Sequence, residues 1–546
     1  MSFRWSIRNI FRKNLRRLKY KIRGYLYYKN IPNEKGFSQL RALKNELTDL
    51  CINELNIRYL KLFFGASHTS AEVVIRQYVL QNYGGERLNA AIFSARGRKS
   101  GLETPLPPSW QNFFRLHGFS VAHWQAMIVW YVAIVFRFAH GSAISFTLGL
   151  GMLIPRRLVK QPLIKNYVYF DSLKPENLPV PLSGGPSYDI CTFYTRWCGR
   201  YPELQNICHS IPRALESNIN GITVKAIRAP YELFSSVISA AAFLAWLGAM
   251  FLFSTYQLLK GRWWYAALFS EAARARVVRQ CPSGYLAKDY LFHASGMIYR
   301  PMWTYEAEVK GCQISRYFYS TYALPKLAAG YESQRYVLGP ANWPRYIVWD
   351  KYQEALLRFN LGSTLNVVVA GPIPFSDFNA PLPKIDLRSI AVFDYEPYRI
   401  SSHLDISTLA DYQTAFPNVH NQFLMDIYEI LSINNWQLIL KTKRNIGKSG
   451  ESKYRKLMNA WPQKAYTEVI DPRISAIRVM KKCFASISFP FTSTAQLLRD
   501  QNYNSVYYDP TSWIQKDDRG AHGIHIISGK KELALWVESL LNISSE

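Results

Sequence analysis

The sequence is poor in the residues from which metal sites and disulfide frameworks are built. Its seven cysteines are an odd number, and none of them belongs to a CxxC pair. Neither a zinc site nor a set of paired disulfides is therefore predicted, and reduced thiols are expected. No convincing DxD motif is present either, because Asp517 and Asp518 lie in a polar stretch. We expect chemistry that requires neither a metal ion nor a cofactor.

Acidic residues are also scarce. The chain of 546 residues has 38 Asp and Glu against 66 Lys and Arg, which gives a formal net charge of +28. Because 49% of its residues are apolar and 15% aromatic, the chain is not disordered, and its length suffices for two or three domains. The excess of positive charge favours a polyanionic partner: nucleic acid, an anionic membrane or a phosphorylated substrate.

The first thirty residues hold ten Lys and Arg, and the first acidic residue is Glu34. Phe3, Ile7 and Ile10 begin a series of apolar residues at helical spacing, which predicts a basic amphipathic helix over residues 1–33. Such a helix is typical of proteins that bind an anionic membrane surface. A nucleic-acid arm and a solvated basic helix are the alternatives. Because no nucleic-acid-binding module is recognisable, we expect no nucleic-acid partner.

Two further stretches are apolar enough to contact a membrane. Residues 233–259 carry no formal charge over 27 positions, and about 20 suffice to span a bilayer. The stretch at about 122–155 is interrupted by Arg137, so we interpret it as two short core or re-entrant pieces. Basic residues flank both ends of 233–259, and charge bias therefore selects no orientation. We favour an in-plane or hairpin arrangement with both ends cytoplasmic; a buried helix of a soluble core is the alternative.

From residue 386 onwards, short apolar strands alternate with helices. The predicted strands are SIAVFDY from residue 389, WQLILK from 436, AYTEVI from 465, CFASISF from 483 and SVYYD from 505. This alternation predicts a parallel sheet with helices on both faces, in which ligands bind beyond the carboxyl ends of the strands. We assign residues 386–546 to a C-terminal Rossmann-like domain that binds the nucleotide. Residues 34–385 are assigned to an N-terminal Rossmann-like domain on the acceptor side.

Cations and hydroxyls gather at the predicted strand ends of the second domain. The candidate phosphate-binding residues are Glu396, Arg399, Lys441, Lys443, Arg444, Thr492, Ser493 and Thr494. In "SFPFTSTA", Pro490 stops the strand because it has no N–H to donate, and a helix is expected to follow. One hydroxyl would suffice to cap that helix. Three hydroxyls on the same edge as a basic cluster predict a bound phosphate, with plain helix capping as the alternative.

Several motifs together carry a family resemblance over roughly residues 285–510. They are "YLFHASGMIYRPMWTYEAEVKG", "PRYIVWDKYQ", "VVVAGPIPFSD", "VFDYEPYR" and "SFPFTSTAQLLRD". The chain resembles the PFTS-motif polysaccharide biosynthesis proteins of bacterial surface carbohydrates. The resemblance implies a GT-B-like glycosyltransferase with two facing Rossmann-like domains. It also implies a nucleotide-sugar donor, a glycan or lipid-linked acceptor of O-antigen or capsule synthesis, and a place at the cytoplasmic face of the inner membrane.

The PFTS turn is also similar to the Ser/Thr motif near the nucleotide in CMP-sugar transferases for acidic sugars. Those enzymes commonly carry a His-Pro motif, which has no obvious counterpart here. We expect the "KTKR" cluster at residues 441–444 to contact the phosphate in its place. Arg300 or Arg399 would then bind the carboxylate of a CMP-activated acidic sugar.

A transferase also needs a base for the acceptor hydroxyl. Asp377 and His293 are the candidates, because both follow predicted strands, although a lone His or Asp is more often structural. Two other functions stay open from the sequence. One is a CDP-alcohol phosphotransferase of the teichoic-acid type, and the other is a non-catalytic membrane scaffold of a polysaccharide assembly complex.

Overall fold

The computed structural model contains two α/β halves. It describes residues 106–153, 164–178, 189–198, 203–211, 216–227, 229–231, 237–293, 300–320, 343–375, 380–394, 396–397, 417–444, 450–497 and 503–544, with the single residues 43, 46, 47, 50, 447 and 499. The basic amphipathic helix predicted for residues 1–33 lies outside this part of the chain.

The first half is built on an eight-stranded sheet with the order β3-β4-β2-β1-β5-β6-β7-β8. The strands are β1 (Tyr167–Phe170), β2 (Asn206–His209), β3 (Ser217–Ile219), β4 (Ile222–Ala226), β5 (Asp289–His293), β6 (Gln313–Tyr317), β7 (Arg345–Val348) and β8 (Val367–Val369). Only the β3–β4 pair is antiparallel within this sheet. The central strands are buried on both faces, as expected of parallel strands covered by helices.

Helices of the first half cover this sheet and extend beyond it. They are α1 (Pro108–Leu116), α2 (His123–Leu153), α3 (Ile190–Cys198), α4 (Val237–Leu259), α5 (Trp264–Gln280), α6 (Trp303–Val309) and α7 (Lys351–Leu361). By length and composition, α2 and α4 would each suffice to cross a membrane. Our interpretation of the α2 region as two short pieces was wrong. Arg137 does not interrupt the helix, and its side chain is half-buried near Glu271 of α5.

The second half is built on a six-stranded, fully parallel sheet with the order β11-β10-β9-β12-β13-β14. Its strands are β9 (Ser389–Asp394), β10 (Gln437–Thr442), β11 (Thr467–Ile470), β12 (Ala485–Ser488), β13 (Ser505–Asp509) and β14 (His525–Ser528). Its helices are α8 (Pro417–Ile433), α9 (Ser452–Ala460), α10 (Ala476–Met480) and α11 (Gly529–Ser544). The predicted α/β class with two Rossmann-like sheets is thereby confirmed.

Local sequence explains several element boundaries. Asp350 caps α7, because its side chain accepts a hydrogen bond from the Gln353 N–H. Gly311 has a φ of +86° where the chain turns from α6 into β6, a conformation that favours glycine. The α-helix expected after the PFTS turn was wrong: the described residues there form only a short 3₁₀ helix, Ser493–Gln496.

The two halves contact each other through the residues that follow β7 and β12. Arg499 donates to Asp350 Oδ2 and to the carbonyl oxygen of His522, each over 3.0 Å. The rings of Tyr352 and His522 stack beside this ion pair. Both charged side chains are largely buried, with exposed fractions of 14% and 17%. The loop before β14 and the segment after the PFTS turn are thus held against the start of α7.

Burial alone would raise the pKa of Asp350. Hydrogen bonds from His522, the Gln353 N–H and Arg499 outweigh that effect and lower the pKa to about 2. We expect Asp350→Asn to lower the free energy of unfolding by about 3 kcal/mol, because it leaves Arg499 largely buried without its carboxylate. The Asn side chain keeps an oxygen for the helix cap. Urea denaturation of the full chain measures the change.

Asp471→Asn is the matched control. Its ion pair with Arg473 has a similar length, 2.7 Å, but exposed fractions of 35% and 66%, so its loss should cost much less stability than the loss of Asp350. Because the Asp350 pKa lies below the ordinary value of about 3.9, its contribution is complete above about pH 4 and is lost as the pH falls towards 2. Equal losses in the two variants would contradict the role given to this contact.

Candidate functional site

The strand order of each sheet identifies a crevice at its carboxyl edge. In the first sheet the chain leaves β1 towards β2 and β4 and returns as β5 on the other side of β1. In the second sheet β9 lies between β10 and β12, so the order reverses between β9 and β12. Ligands of parallel α/β sheets bind in the crevice that such a reversal opens. The two crevices are therefore the β1–β5 edge and the β9–β12 edge.

Asp171 lies at the first crevice, directly after β1. Its N–H donates to the Leu291 carbonyl of β5, and its carboxylate accepts a hydrogen bond from the Ser172 hydroxyl over 2.7 Å. Burial raises the pKa of Asp171 above its ordinary value, and the Ser172 bond only partly offsets this. Ser172 has a φ of +57°, a strained conformation of the kind that is common at functional sites. Sequence reasoning missed Asp171, although it is an acidic residue that directly follows the apolar stretch "YVYF".

His293 ends β5 on the other side of this crevice. Its side chain is only 4% exposed, and its ring packs edge-on against Tyr317 and Tyr319, with centroids 5.2 and 5.1 Å away. Burial, followed by the charges of Lys174 and Arg316, lowers the pKa of His293 to about 4. The imidazole is therefore neutral near pH 7. The predicted position of His293 at a strand end is correct, while its role as a base stays a prediction.

Lys443 and Arg444 follow β10 at the edge of the second sheet, and both side chains are exposed. Desolvation, followed by the charge of Arg444, lowers the pKa of Lys443. Lys441 differs from this pair. It is 7% exposed, and its ammonium donates to the Pro472 carbonyl over 3.1 Å. Of the predicted basic cluster, Lys443 and Arg444 are therefore the two that reach solvent at this edge.

The PFTS turn lies at the second crevice, immediately after β12. The Thr492 hydroxyl donates back to the Phe489 carbonyl over 2.8 Å, and the Thr492 carbonyl accepts from the Tyr507 hydroxyl. Thr492 therefore does not cap the following turn as we expected, and no cap bond from its side chain is formed. Thr492, Ser493 and Thr494 are half-buried at the crevice. Whether they contact a phosphate stays a prediction.

Tyr319 connects the two edges. It follows β6 in the first sheet, yet the charge of Arg444 from the second sheet acts on its phenol. Its hydroxyl donates to Glu176 over 3.2 Å, and its ring packs edge-on against Phe375 at 4.8 Å. Tyr319, which packs on the predicted base His293, is thus within reach of the charge of the predicted phosphate ligand Arg444. The carboxyl edges of the two sheets face each other, as in a GT-B-like fold.

A buried polar cluster lies next to the second crevice, at the end of β9. Asp394, at the end of β9, contacts His420 Nδ1 and accepts from the Tyr454 hydroxyl, each over 3.0 Å. The His420 ring stacks on Phe489, the residue before Pro490, with centroids 4.1 Å apart. Sequence reasoning missed His420 and Tyr454, because a single His on a helix gives no periodic signal. The cluster fixes the position of the strand that leads into the PFTS turn.

Four other residues were predicted to belong to the site. Arg300 is 3% exposed and donates to Thr304 and Glu308 within its own helical region, so it is not placed to bind a substrate carboxylate. Glu396 is buried against Gly450, where any Cβ would lie 1.7 Å from its carboxylate oxygen. Asp377 and Arg399 lie outside the described residues. Within the described part of the chain, no group of three or more His, Cys, Asp or Glu side chains is placed to hold a metal ion.

The Tyr454 hydroxyl gives a test of the supporting cluster. Tyr454→Phe should lower the free energy of unfolding by about 1–3 kcal/mol, because the buried Asp394 carboxylate loses a donor. Tyr428→Phe is the control: its half-buried ring packs on Trp461 and under the Lys464 ammonium, and those contacts persist in phenylalanine. Thermal and urea denaturation measure both variants. A Tyr454→Phe protein as stable as the wild type would remove the structural role of this bond.

Comparisons with solved structures give only weak similarities. UDP-GlcNAc 2-epimerase of Methanocaldococcus jannaschii, in complex with UDP-GlcNAc and UDP, is 9% identical with a TM-score of 0.31, over 50% of this chain and 75% of that one. UGT71G1 of Medicago truncatula, complexed with UDP-glucose, is 9% identical with a TM-score of 0.27, over 59% and 76%. A search among curated proteins gives no match. The architecture of this chain rests on its own strand pairing.

A family model gives the decisive comparison. Residues 245–537, which are more than half of the chain, match the model described as polysaccharide biosynthesis PFTS motif protein. The match runs from within α4 to within α11; it includes β5 with His293, while β1 and Asp171 precede it. It includes the whole second sheet and the turn that we singled out in the sequence. The chain belongs to the family of polysaccharide biosynthesis PFTS motif proteins.

Proposed function

We propose that this chain is a metal-independent glycosyltransferase that uses a nucleotide-sugar donor. The observation that carries the proposal is the pair of facing crevices. One presents Lys443, Arg444 and the PFTS turn, and the other presents Asp171 and His293. A cationic edge opposite a titratable edge provides the two things that sugar transfer requires, a stabilised leaving group and a base. Membership of a polysaccharide biosynthesis family supports the same reaction class.

Lys443 and Arg444 are proposed to bind the phosphate of the donor. Two exposed cations beside a strand end supply charge-assisted hydrogen bonds, which are about twice as strong as neutral ones. The Ser493 and Thr494 hydroxyls lie at the neighbouring strand end and would donate further bonds. As the bond between the sugar anomeric carbon and the phosphate oxygen breaks, these groups would stabilise the negative charge on the departing nucleotide.

Asp171 is proposed as the base. It would take the proton of the acceptor hydroxyl while that oxygen forms its bond to the anomeric carbon. A carboxyl group with a raised pKa holds a proton more strongly at neutral pH than an ordinary one, which suits a general base. His293 is neutral near pH 7 and could also accept a proton, but it is more deeply buried than Asp171. Asp377, the other base that the sequence indicates, stays a prediction.

The donor proposed here is a CMP-activated acidic sugar. Such a donor has one phosphate between nucleoside and sugar, and the Lys443–Arg444 pair matches one phosphate group. Since Arg300 is committed to Glu308, the sugar carboxylate requires another cation. Lys174 is a described candidate, because its charge acts on His293 at the opposite crevice. The acceptor is proposed to be a glycan or a lipid-linked glycan of O-antigen or capsule synthesis.

Calorimetric titration of the full chain with CMP, CDP, UDP and GDP tests the donor site. Lys443→Ala should weaken binding of the preferred nucleotide by about 1.5–3 kcal/mol, because a charge-assisted contact is lost. Lys482→Ala is the matched control: that lysine is equally exposed but precedes β12, at the opposite edge of the sheet.

The possible results distinguish the donor, the reaction class and the site residues of the proposed function. Tight UDP or GDP binding without CMP binding would remove the acidic-sugar donor and keep the transferase. Preference for CDP would favour the CDP-alcohol phosphotransferase. A folded protein that binds none of the four would favour the non-catalytic scaffold, and equal effects of the two lysine variants would refute the assigned site.

A kinetic measurement tests the base. With the donor identified by titration, Asp171→Asn should lower kcat by about 10²–10⁴-fold and leave nucleotide affinity unchanged, because the base does not contact the nucleotide. His293→Gln should have a smaller effect on kcat. If His293→Gln lowers kcat more than Asp171→Asn does, His293 and not Asp171 is the base.

A further inference from the structure

The outer faces of α2 and α4 expose more apolar surface than is usual for helices that face water. The exposed positions of α4 hold only Val, Ile, Ala, Leu and Tyr, among them Ile238 at 82% and Leu252 at 69% exposure. On α2, Val132 and Phe136 are 65% and 73% exposed. Surface helices of water-soluble proteins place polar residues outwards, and apolar patches of this extent mark interaction sites.

Several polar residues of the same helices are buried, although Gln125, His140 and Thr147 of α2 are exposed. Ser142 and Ser145 of α2 and Ser254 and Gln257 of α4 are all buried. Polar side chains turned inwards and apolar ones turned outwards are the pattern of helices that face lipid.

The two helices form one antiparallel layer on the first half. Phe138 of α2 stacks on Phe251 of α4 at 5.2 Å, and further along Gly149 lies so close to α4 that a Cβ would be 2.6 Å from Leu244. Helix α5 covers the inner side of the layer, where Phe138 also meets Phe269 at 5.3 Å. Among the described residues, the outer side of the pair is left uncovered.

Strand pairing decides how this layer can meet a bilayer. In sequence, α4 and α5 lie between β4 and β5, yet β1 and β5 are hydrogen-bonded neighbours of one sheet, with Tyr169 opposite Tyr290. A single crossing by α4 would place these strands on opposite sides of the membrane. Helix α5 does not cross back, because most of its residues are buried in the core of the first half. Helix α4 therefore lies along one leaflet, and α2 lies beside it.

Basic residues stand at both ends of the layer. Lys260 and Arg262 follow α4 and are exposed, and the sequence places Arg156 and Arg157 three residues after α2 ends. In a transmembrane pair only one end would face the cytoplasm, where basic residues are enriched. In an in-plane layer both ends meet the anionic headgroups of one leaflet.

We infer that the outer face of α2 and α4 is embedded, parallel to the membrane plane, in the cytoplasmic leaflet of an anionic bilayer. This surface is separate from the proposed donor site, and either proposal can fail without the other. In this arrangement the enzyme and a lipid-linked acceptor would lie at the same membrane surface. The predicted contact of residues 1–33 with the membrane lies outside the described residues and is not required.

Vesicle flotation of the full chain tests the inference. The probe is a vesicle of phosphatidylcholine and phosphatidylglycerol at roughly 7:3, in about 1 M salt, where attraction by basic segments alone is screened. The wild type should float with the vesicles. The double variant Val132→Asp with Leu252→Asp should lose at least about tenfold in the bound-to-free ratio, because charges are costly in the hydrocarbon region. Circular dichroism checks that the variant is folded.

The control carries the same charge change on other exposed apolar residues, Ile433→Asp with Leu387→Asp, at 72% and 94% exposure. It should float like the wild type. Absence of wild-type flotation, or equal flotation of the Val132→Asp/Leu252→Asp variant, overturns the inference. A wild type that stays in solution as a dimer, which the same variant dissociates, would assign the face to a second copy of the chain instead.

Depth is measured with Phe136→Trp, in the middle of α2. The fluorescence gained over the wild type should be quenched more by lipids brominated near the glycerol end of the acyl chain than by lipids brominated near the terminal methyl. An in-plane helix lies about 5–10 Å into the headgroup and acyl boundary. Stronger quenching at the terminal methyl would place Phe136 at the bilayer centre and overturn the in-plane arrangement.

Discussion

Parallel pairing of neighbouring strands determines where chemistry can occur in this molecule. In each sheet it collects the carboxyl ends of the parallel strands along one edge, and the reversal of strand order opens a crevice there. Asp171 and the PFTS turn are far apart in sequence, yet each follows a strand that borders such a crevice. The ion pair between Arg499 and Asp350 then joins the two halves, and the charge of Arg444 in the second half acts on Tyr319 in the first.

The sequence predicted the second half well. Five apolar strands alternate with amphipathic helices there, and each repeat of this pattern is a strong signal. It missed β14, whose core "HII" stretch is short. It assigned Arg300 to the sugar carboxylate, because the partner Glu308 becomes apparent only when the helical region that joins the two residues is built. His420 was missed for the same kind of reason. Its meaning comes from Asp394 and Phe489, which other strands bring to it.

The same strand pairing also constrains the relation to a membrane. Hydropathy alone leaves α4 free to span a bilayer, and its length would allow it. The hydrogen bonds between β1 and β5 remove that freedom, because they require the chain on both sides of α4 to share one compartment. A local apolar signal and a long-range strand contact therefore have to be considered together. Their combination supports the inference that the first half rests on one leaflet and is not divided by a membrane.

The central claim is that the facing carboxyl edges bind a nucleotide. Hydrogen–deuterium exchange of the full chain, with and without the nucleotide that binds most tightly, tests it directly. Slower exchange is expected in peptides that cover residues 441–444, 488–496 and 317–320, because the ligand would order the cationic edge, the PFTS turn and the Tyr319 region together. Protection confined to the amino edges of the sheets, or to α2 and α4, would contradict the account.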